Sequence, residues 1–331
     1  MFGRIMSIEV FDREGNSTFL VDPTVETPLM CSGTIDYLPS SSGAPRATIQ
    51  VFNLPSILAA PLFAMRKQVL NDEGQVEYLD DTKMVRIGFG YRDENDGELS
   101  TIFVGRVARA FTTRQDATTY VTKIYAYQLG DLFTSAVSTA RFEAGTSIYD
   151  CIDGLFELST VSGIQYTTPE SLKNYFIDSD ISFYGKTLDC VNSLLRRVDY
   201  MIVTTPRGVN FVPMKPTDAD LDCVILGSYD DDGRVVARSG LIGFPKIDSD
   251  GIRFTTLINP RITLFSFVWL PNTVLIDNRD GFVPSNQFGA SYDPAGLYRV
   301  VKMTTKFDSH SGDCNTEYVA VSAATGSQYY K

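Results

Sequence analysis

The sequence predicts a mainly β fold interrupted by a small α/β region. Three observations carry this. Apolar and polar residues alternate through most of residues 1–127 and again in residues 214–331. Between them, residues 128–213 contain two stretches with apolar residues at helical spacing. The composition, with 17 Tyr and 21 Phe, is rich in strand formers. A chain of 331 residues exceeds one ordinary core, so two or three domains are expected. The order β-rich, mixed, β-rich suggests two related antiparallel β-barrel domains, 1–127 and 214–331, flanking an α/β domain at 128–213.

Residues 1–127 open with Met6, Ile8 and Val10 alternating with Ser7 and Glu9, a half-buried strand. Val85, Ile87, Phe89 and Tyr91 alternate with Arg86, Gly88 and Gly90; the polar run "YRDENDGELS" and then "TIFVGRVARAF" complete a hairpin. "TYVTKIYAY" at 119–127 is a further strand. The stretch "NLPSILAAPLFAMRKQVL" has helical composition, but Pro55 and Pro61 limit it to one or two short helices near 55–68.

In residues 128–213, Ile148, Cys151, Ile152, Leu155 and Phe156 fall on one helix face, with Ser147 and Asp150 placed as a capping pair. A second helix carries Leu188, Val191, Leu195 and Val198 on one face, with Thr187 as its expected N-cap. "YMIVTTPRGVNFVPM" reads as a hairpin turning at Pro206-Arg207-Gly208.

In residues 214–331, "CVILGSYDDDGRVVARSG" reads as strand, acidic turn and strand. "GLIGFPKIDSDGIRFTTLINP" is apolar, broken by Gly243 and Pro245, and turns at Ser249, Asp250 and Gly251 before a strand at 252–258. A Gly/Pro/Asn-rich loop is expected from Asp277 to Gly296, and "LYRVVKMTTKFDSHSGDCNTEYVAVSA" closes as two strands around a polar turn.

The chemistry that can be tested by spacing is missing. His310 is the single histidine, and Asp308, Ser309, Ser311, Asp313 and Cys314 crowd around it. Triad members converge from separate segments, whereas these neighbours are ordinary turn residues. The acid clusters Asp93/Glu94/Asp96, Asp230/Asp231/Asp232 and Asp248/Asp250 sit beside glycines as in hairpin turns and do not match a calcium loop. Phosphate-loop and zinc spacings are absent, so no catalytic residue, cofactor or metal is expected. Cys31, Cys151, Cys190, Cys223 and Cys314 form no C-x-x-C pair and read as reduced, mostly buried thiols. Arg4 and Glu9 break up any secretory core, and no window approaches the ~20 apolar residues of a membrane span. The chain is therefore expected to be made in a cytoplasm and to stay soluble. A net charge of −11 and the lack of a basic, aromatic-interleaved run argue against gripping nucleic acid. Together these features favour a structural or assembly protein.

Several segments, in order, carry a likeness: "ATIQVFNL" (47–54), "VRIGFGY" with "STIFVGRV" (85–91, 100–107), "GLIGFP" with "LINPRI" (240–245, 257–262), and the closing hairpin (298–323). With these the chain resembles the baseplate, or tail, hub proteins of contractile-tailed bacteriophages. The resemblance implies two tail-tube-like barrels per chain joined by the α/β region. It also implies a homotrimer that adapts the sixfold tail tube to the threefold central spike and encloses a channel for genome passage. Implied partners are the tube, spike and baseplate wedge proteins and the tape measure protein, with DNA only as passing cargo. Assembly would occur in the host cytoplasm, and the final location would be the virion baseplate. The sequence departs from the pattern at "TLFSF" (263–267), where a glycine is usual, and in the long 277–296 passage. The chain stops at Lys331, so no lytic extension is expected. An acidic channel wall would repel phosphates, which gives the charge of −11 a role. Gly88, Phe89 and Tyr91, and Leu241, Ile242, Phe244 and Pro245, are taken as subunit-contact regions. The hub of a non-contractile tail, a cell-wall hydrolase using His310, and a glycan-binding tail module are the competing readings.

Overall fold

The structure, a computed structural model, describes residues 3–12, 15–39, 43–63, 66–70, 76–80, 83–91, 98–161, 164–206, 208–214, 223–229, 235–237, 240–248, 251–270, 276–277, 296–310 and 314–323. In chain order the first elements are β1 (Arg4–Phe11), β2 (Ser17–Val21), β3 (Cys31–Tyr37), β4 (Arg46–Phe52), α1 (Ser56–Phe63), β5 (Arg66–Leu70), β6 (Val76–Asp80), β7 (Met84–Tyr91), β8 (Ser100–Arg114) and β9 (Tyr120–Tyr127). Next come α2 (Gly130–Thr134), β10 (Val137–Phe142), α3 (Ile148–Glu157), β11 (Tyr166–Thr167), β12 (Ile181–Lys186), α4 (Thr187–Leu195), β13 (Tyr200–Thr205) and β14 (Gly208–Pro213). The last are β15 (Cys223–Ile225), β16 (Gly227–Tyr229), β17 (Val235–Ala237), β18 (Leu241–Asp248), β19 (Gly251–Leu257), β20 (Phe267–Trp269), β21 (Ile276–Asp277), β22 (Leu297–Asp308) and β23 (Asn315–Ser322). The fold is mainly β, with few helices, as expected. Two compact units form: Met1–Asp36, Pro45–Gln128 and Thr304–Asn315 make the first, and Tyr37–Ala44, Leu129–Met303 and Thr316–Lys331 the second.

The first unit is a curled sheet in the order β2-β1-β7-β8-β9-β4-β3, with the end of β22 beside β3. The alternation in β1 and β7 has the expected result: Ile8, Val85, Ile87 and Phe89 are fully buried, as are Ile35, Ile49, Phe103 and Ile124 on neighbouring strands. Each such side chain contributes ~1.5–3 kcal/mol. The expected closed barrel is corrected, because the ladder stays open among the described residues. The sheet still bends back on itself. Cys31 Sγ on β3 lies 3.6 Å from Met6 Sδ on β1, although four strands separate them in the sheet. Bulges at Ile8/Glu9, Ile87/Gly88 and Val107/Arg109 supply local bends of the kind that curl a sheet.

The helical excursion is shorter than expected. α1 ends at Phe63, two residues after Pro61, which cannot donate to the preceding turn. Residues 66–70 form β5 instead and pair with β6, setting Arg66 opposite Asp80 and Leu70 opposite Val76. Composition had masked this second hairpin.

The second unit holds the two predicted helices. Ile148, Cys151, Ile152, Leu155 and Phe156 are the buried face of α3, and Ser147 Oγ accepts from the Asp150 N–H at 3.0 Å. They pack with Leu188, Val191, Leu194 and Leu195 of α4 and with Ile202, Val209 and Phe211 of the β13–β14 hairpin. Thr187 is not the N-cap of α4. Strand β12 runs straight into the helix, so Lys186 occupies that position. The buried Thr187 hydroxyl lies 2.7 Å from Ser138 Oγ instead. β18 and β19 pair antiparallel, with a bulge between Ile242 and Lys246 where Gly243 takes φ 68°. The broken apolar approach is therefore itself a strand. β15 pairs with β20 in parallel, whereas β16 and β17 form the expected hairpin. The predicted turns at 92–97, 230–232, 249–250 and 311–313, Arg207, and most of the 277–296 passage lie outside the described residues.

Candidate functional site

The two predicted contact segments differ in what they expose. Gly88 and Phe89 are buried in β7, and Phe89 meets Tyr91 edge to face at 5.2 Å. A side chain at Gly88 would run into the Ser7 hydroxyl, and one at Gly90 into the Glu98 carbonyl. The "GFGY" pattern thus serves close approach within its own chain, leaving Tyr91 half-buried at the end of the strand. In the second segment Pro245 is buried, Leu241 is half-buried and Ile242 is 43% exposed. The Phe244 side chain lies outside the described set.

A feature missed by sequence reasoning lies within the second unit. Arg299 on β22 is 3% exposed, yet no pattern in "LYRVV" singles it out. Its guanidinium donates to the carbonyls of Phe265 at 3.2 Å, Met214 at 2.6 Å and Pro213 at 2.8 Å. It also lies 5.6 Å and 5.2 Å from the ring centres of Phe265 and Phe267. Phe265 takes a left-handed φ of 66°, a strained state for an aromatic residue. The Arg299 bond to its carbonyl and its own N–H bond to Val300 O at 2.8 Å hold it there. This clamp ties the end of the β13–β14 hairpin to β20 and β22, beside a cleft of about 380 Å³ that includes Tyr200 and Phe211. Tyr200 and Ser171 share a hydrogen bond of 2.9 Å at its wall.

The described groups around His310 bond to backbone. The His310 backbone N–H donates to Asp308 Oδ1 at 2.9 Å, and Ser309 Oγ accepts from the Cys31 N–H at 2.9 Å. Both groups tie backbone together. Among the described residues, no cluster of three or more His, Cys, Asp or Glu is placed to hold a metal, and no helix is long and apolar enough to cross a membrane. All five cysteines are free thiols. Burial pushes the Cys31 thiol up to about 12 and Cys151 up to about 11, and it raises Cys190 and Cys314 as well. Cys223 is half-exposed. At pH 8 a thiol reagent is expected to modify Cys223 at least ~100-fold faster than the other four, which should react together on unfolding. Mass mapping after brief alkylation reads this directly.

An exposed apolar surface surrounds α1. This helix is apolar on all sides, yet only Ala59 and Leu62 are buried. Ile57 is 80% exposed and Phe63 44%, and Tyr120 at 47% completes the wall of a cleft of about 470 Å³. Helices apolar all round are ordinarily covered. The absence of any charge in "SILAAPLF" was the available signal.

This architecture recurs in solved structures of tail proteins. A tail protein from Neisseria meningitidis MC58 superposes with a TM-score of 0.52 at 9% identity, covering 98% of each chain. The 43 kDa tail protein of prophage MuSo2 from Shewanella oneidensis gives 0.53 at 9% identity, covering 96% of this chain and 97% of that one. No family model and no curated protein matches the sequence. The likeness read from scattered segments therefore holds at the level of the fold.

Proposed function

We propose that this chain is a structural subunit of a phage-type tail: a trimeric baseplate hub that joins the sixfold tube to the threefold spike and encloses the channel for DNA. The observation that carries this reading is the end-to-end match of the fold to a tail protein over 98% of both chains. The uncovered apolar helix α1 and the exposed Ile242 support it, since subunits of an assembly leave such surfaces for neighbours. In this reading the second unit divides into an α/β part at 128–213 and a second tube-like part at 214–331. The regions around Tyr91 and Leu241–Pro245 lie near subunit contacts, and acidic side chains line the channel. The role is one of symmetry matching without catalysis, in the virion baseplate after assembly in the host cytoplasm. Its partners are the tube, spike, wedge and tape measure proteins. Sedimentation velocity of the purified chain is expected to give a species of three chains that negative-stain images show as a ring. A monodisperse monomer at every concentration tested sinks the proposal. A ring in particles that lack a sheath moves it to the non-contractile class.

A further inference from the structure

The outer face of β4, β8 and β9 gathers positive charge and aromatic rings in a chain of net charge −11. The register sets Arg109 opposite Tyr125, Phe111 opposite Lys123 and Arg106 opposite Tyr127. Across the other edge of β9, Arg46 also stands opposite Tyr127. Strand alternation puts these residues on the side away from the buried Ile49, Ile124 and Ala126. The Arg109 guanidinium lies 4.9 Å from the Phe111 ring centre, and Phe111 stacks on Tyr125 at 6.1 Å. Tyr127 is 41% exposed. Among the described residues, Asp36 stands at the rim, bonded to Arg46 at 3.1 Å.

Arg and Tyr are the side chains that anchor protein interfaces. Here stacking already restrains them, so docking costs less side-chain entropy than it would for free surface chains. A rigid basic face selects an acidic partner, and this same chain is acidic overall, with a net charge of −11. We propose that this face docks the acidic surface of a second copy of the chain. The inference rests on the assembly reading above and names the face that the neighbour covers. A single-stranded nucleic acid fits less well. The overall charge repels phosphates at long range, and Phe111 and Tyr125 stack on each other instead of standing open for bases.

The test is the double variant Arg109→Glu/Lys123→Glu of the full chain, compared with wild type by sedimentation at low and physiological salt. Trp269 fluorescence and circular dichroism report folding. The expected result is a folded variant whose self-association is about 100-fold weaker, with wild-type association weakening as salt rises. Arg109→Gln/Lys123→Gln is expected to fall between the two, and it keeps the test open if the glutamates disturb folding. Unchanged assembly of the charge-reversed variant overturns the inference while leaving the assembly reading intact. So does wild-type binding of a labelled single-stranded oligonucleotide that the variant loses while assembling normally. A wild-type chain that is monomeric throughout sinks the assembly reading, and this inference with it.

Discussion

Arg299→Ala is expected to destabilise the second unit by about 4 kcal/mol, a large share of the ~5–15 kcal/mol that keeps an ordinary domain folded. The substitution strips one donor group from three carbonyls at once, those of Pro213, Met214 and Phe265. It also removes the cation that lies against Phe265 and Phe267, and it frees the strained φ of 66° at Phe265 to relax. Arg299→Met separates the causes, since it keeps the apolar stem and loses every donor. Lysine keeps the charge but cannot fork towards three acceptors, so Arg299→Lys is expected to recover less than half of the loss. Trp269, the single tryptophan, lies on β20 within two residues of Phe267, which pairs with Arg299. Its fluorescence during urea unfolding therefore follows the affected sheet. Equal midpoints for wild type and Arg299→Ala would show that the clamp is ornamental.

Gly208→Ala is expected to cost ~3 kcal/mol or more. Gly208 has φ 136°, a conformation that side chains rarely adopt, and a Cβ there would overlap the Gln165 carbonyl. That carbonyl accepts the Val209 N–H at 2.8 Å, next to the place where β11 joins β14. Relief of the clash would pull β14 from β11 and shift the buried Val209 and Phe211 within the core that α3 and α4 share. Gly145→Ala is the control. It has φ 88° with open space around it, so only the torsional cost of ~1–3 kcal/mol remains. Thermal melts of the two variants should differ clearly. Identical shifts would mean that backbone torsion, and not the Gln165 contact, sets the cost.

Much of the fold was legible where local signals agree. In α3, cap, dipole and apolar spacing coincide, and the buried face is the one that periodicity marks. The β5–β6 hairpin was hidden because "SILAAPLFAMRKQVL" has the composition of a helix. Thr187 looked like a cap because its neighbours were read without the strand that runs into them. The Arg299 clamp depends on carbonyls more than 80 residues earlier in the chain, which no local pattern announces. The basic face was unreadable for a related reason. Its cations stand on three strands and meet only through register, so no linear run contains them.

The bulge in β18 has a consequence for folding fidelity. The β18–β19 hairpin has one alignment in which Gly243, with its φ of 68°, falls in a break of the ladder between Ile242 and Lys246. Pro245, which has no N–H to offer, falls in the same break. A slip by one residue would press that proline towards a paired position. It would also turn the buried Ile247 outward and the exposed Lys246 inward. Mis-registered versions of this hairpin are thus penalised three ways at once. The residues that make the segment look broken are the ones that let it reject wrong pairings as it forms.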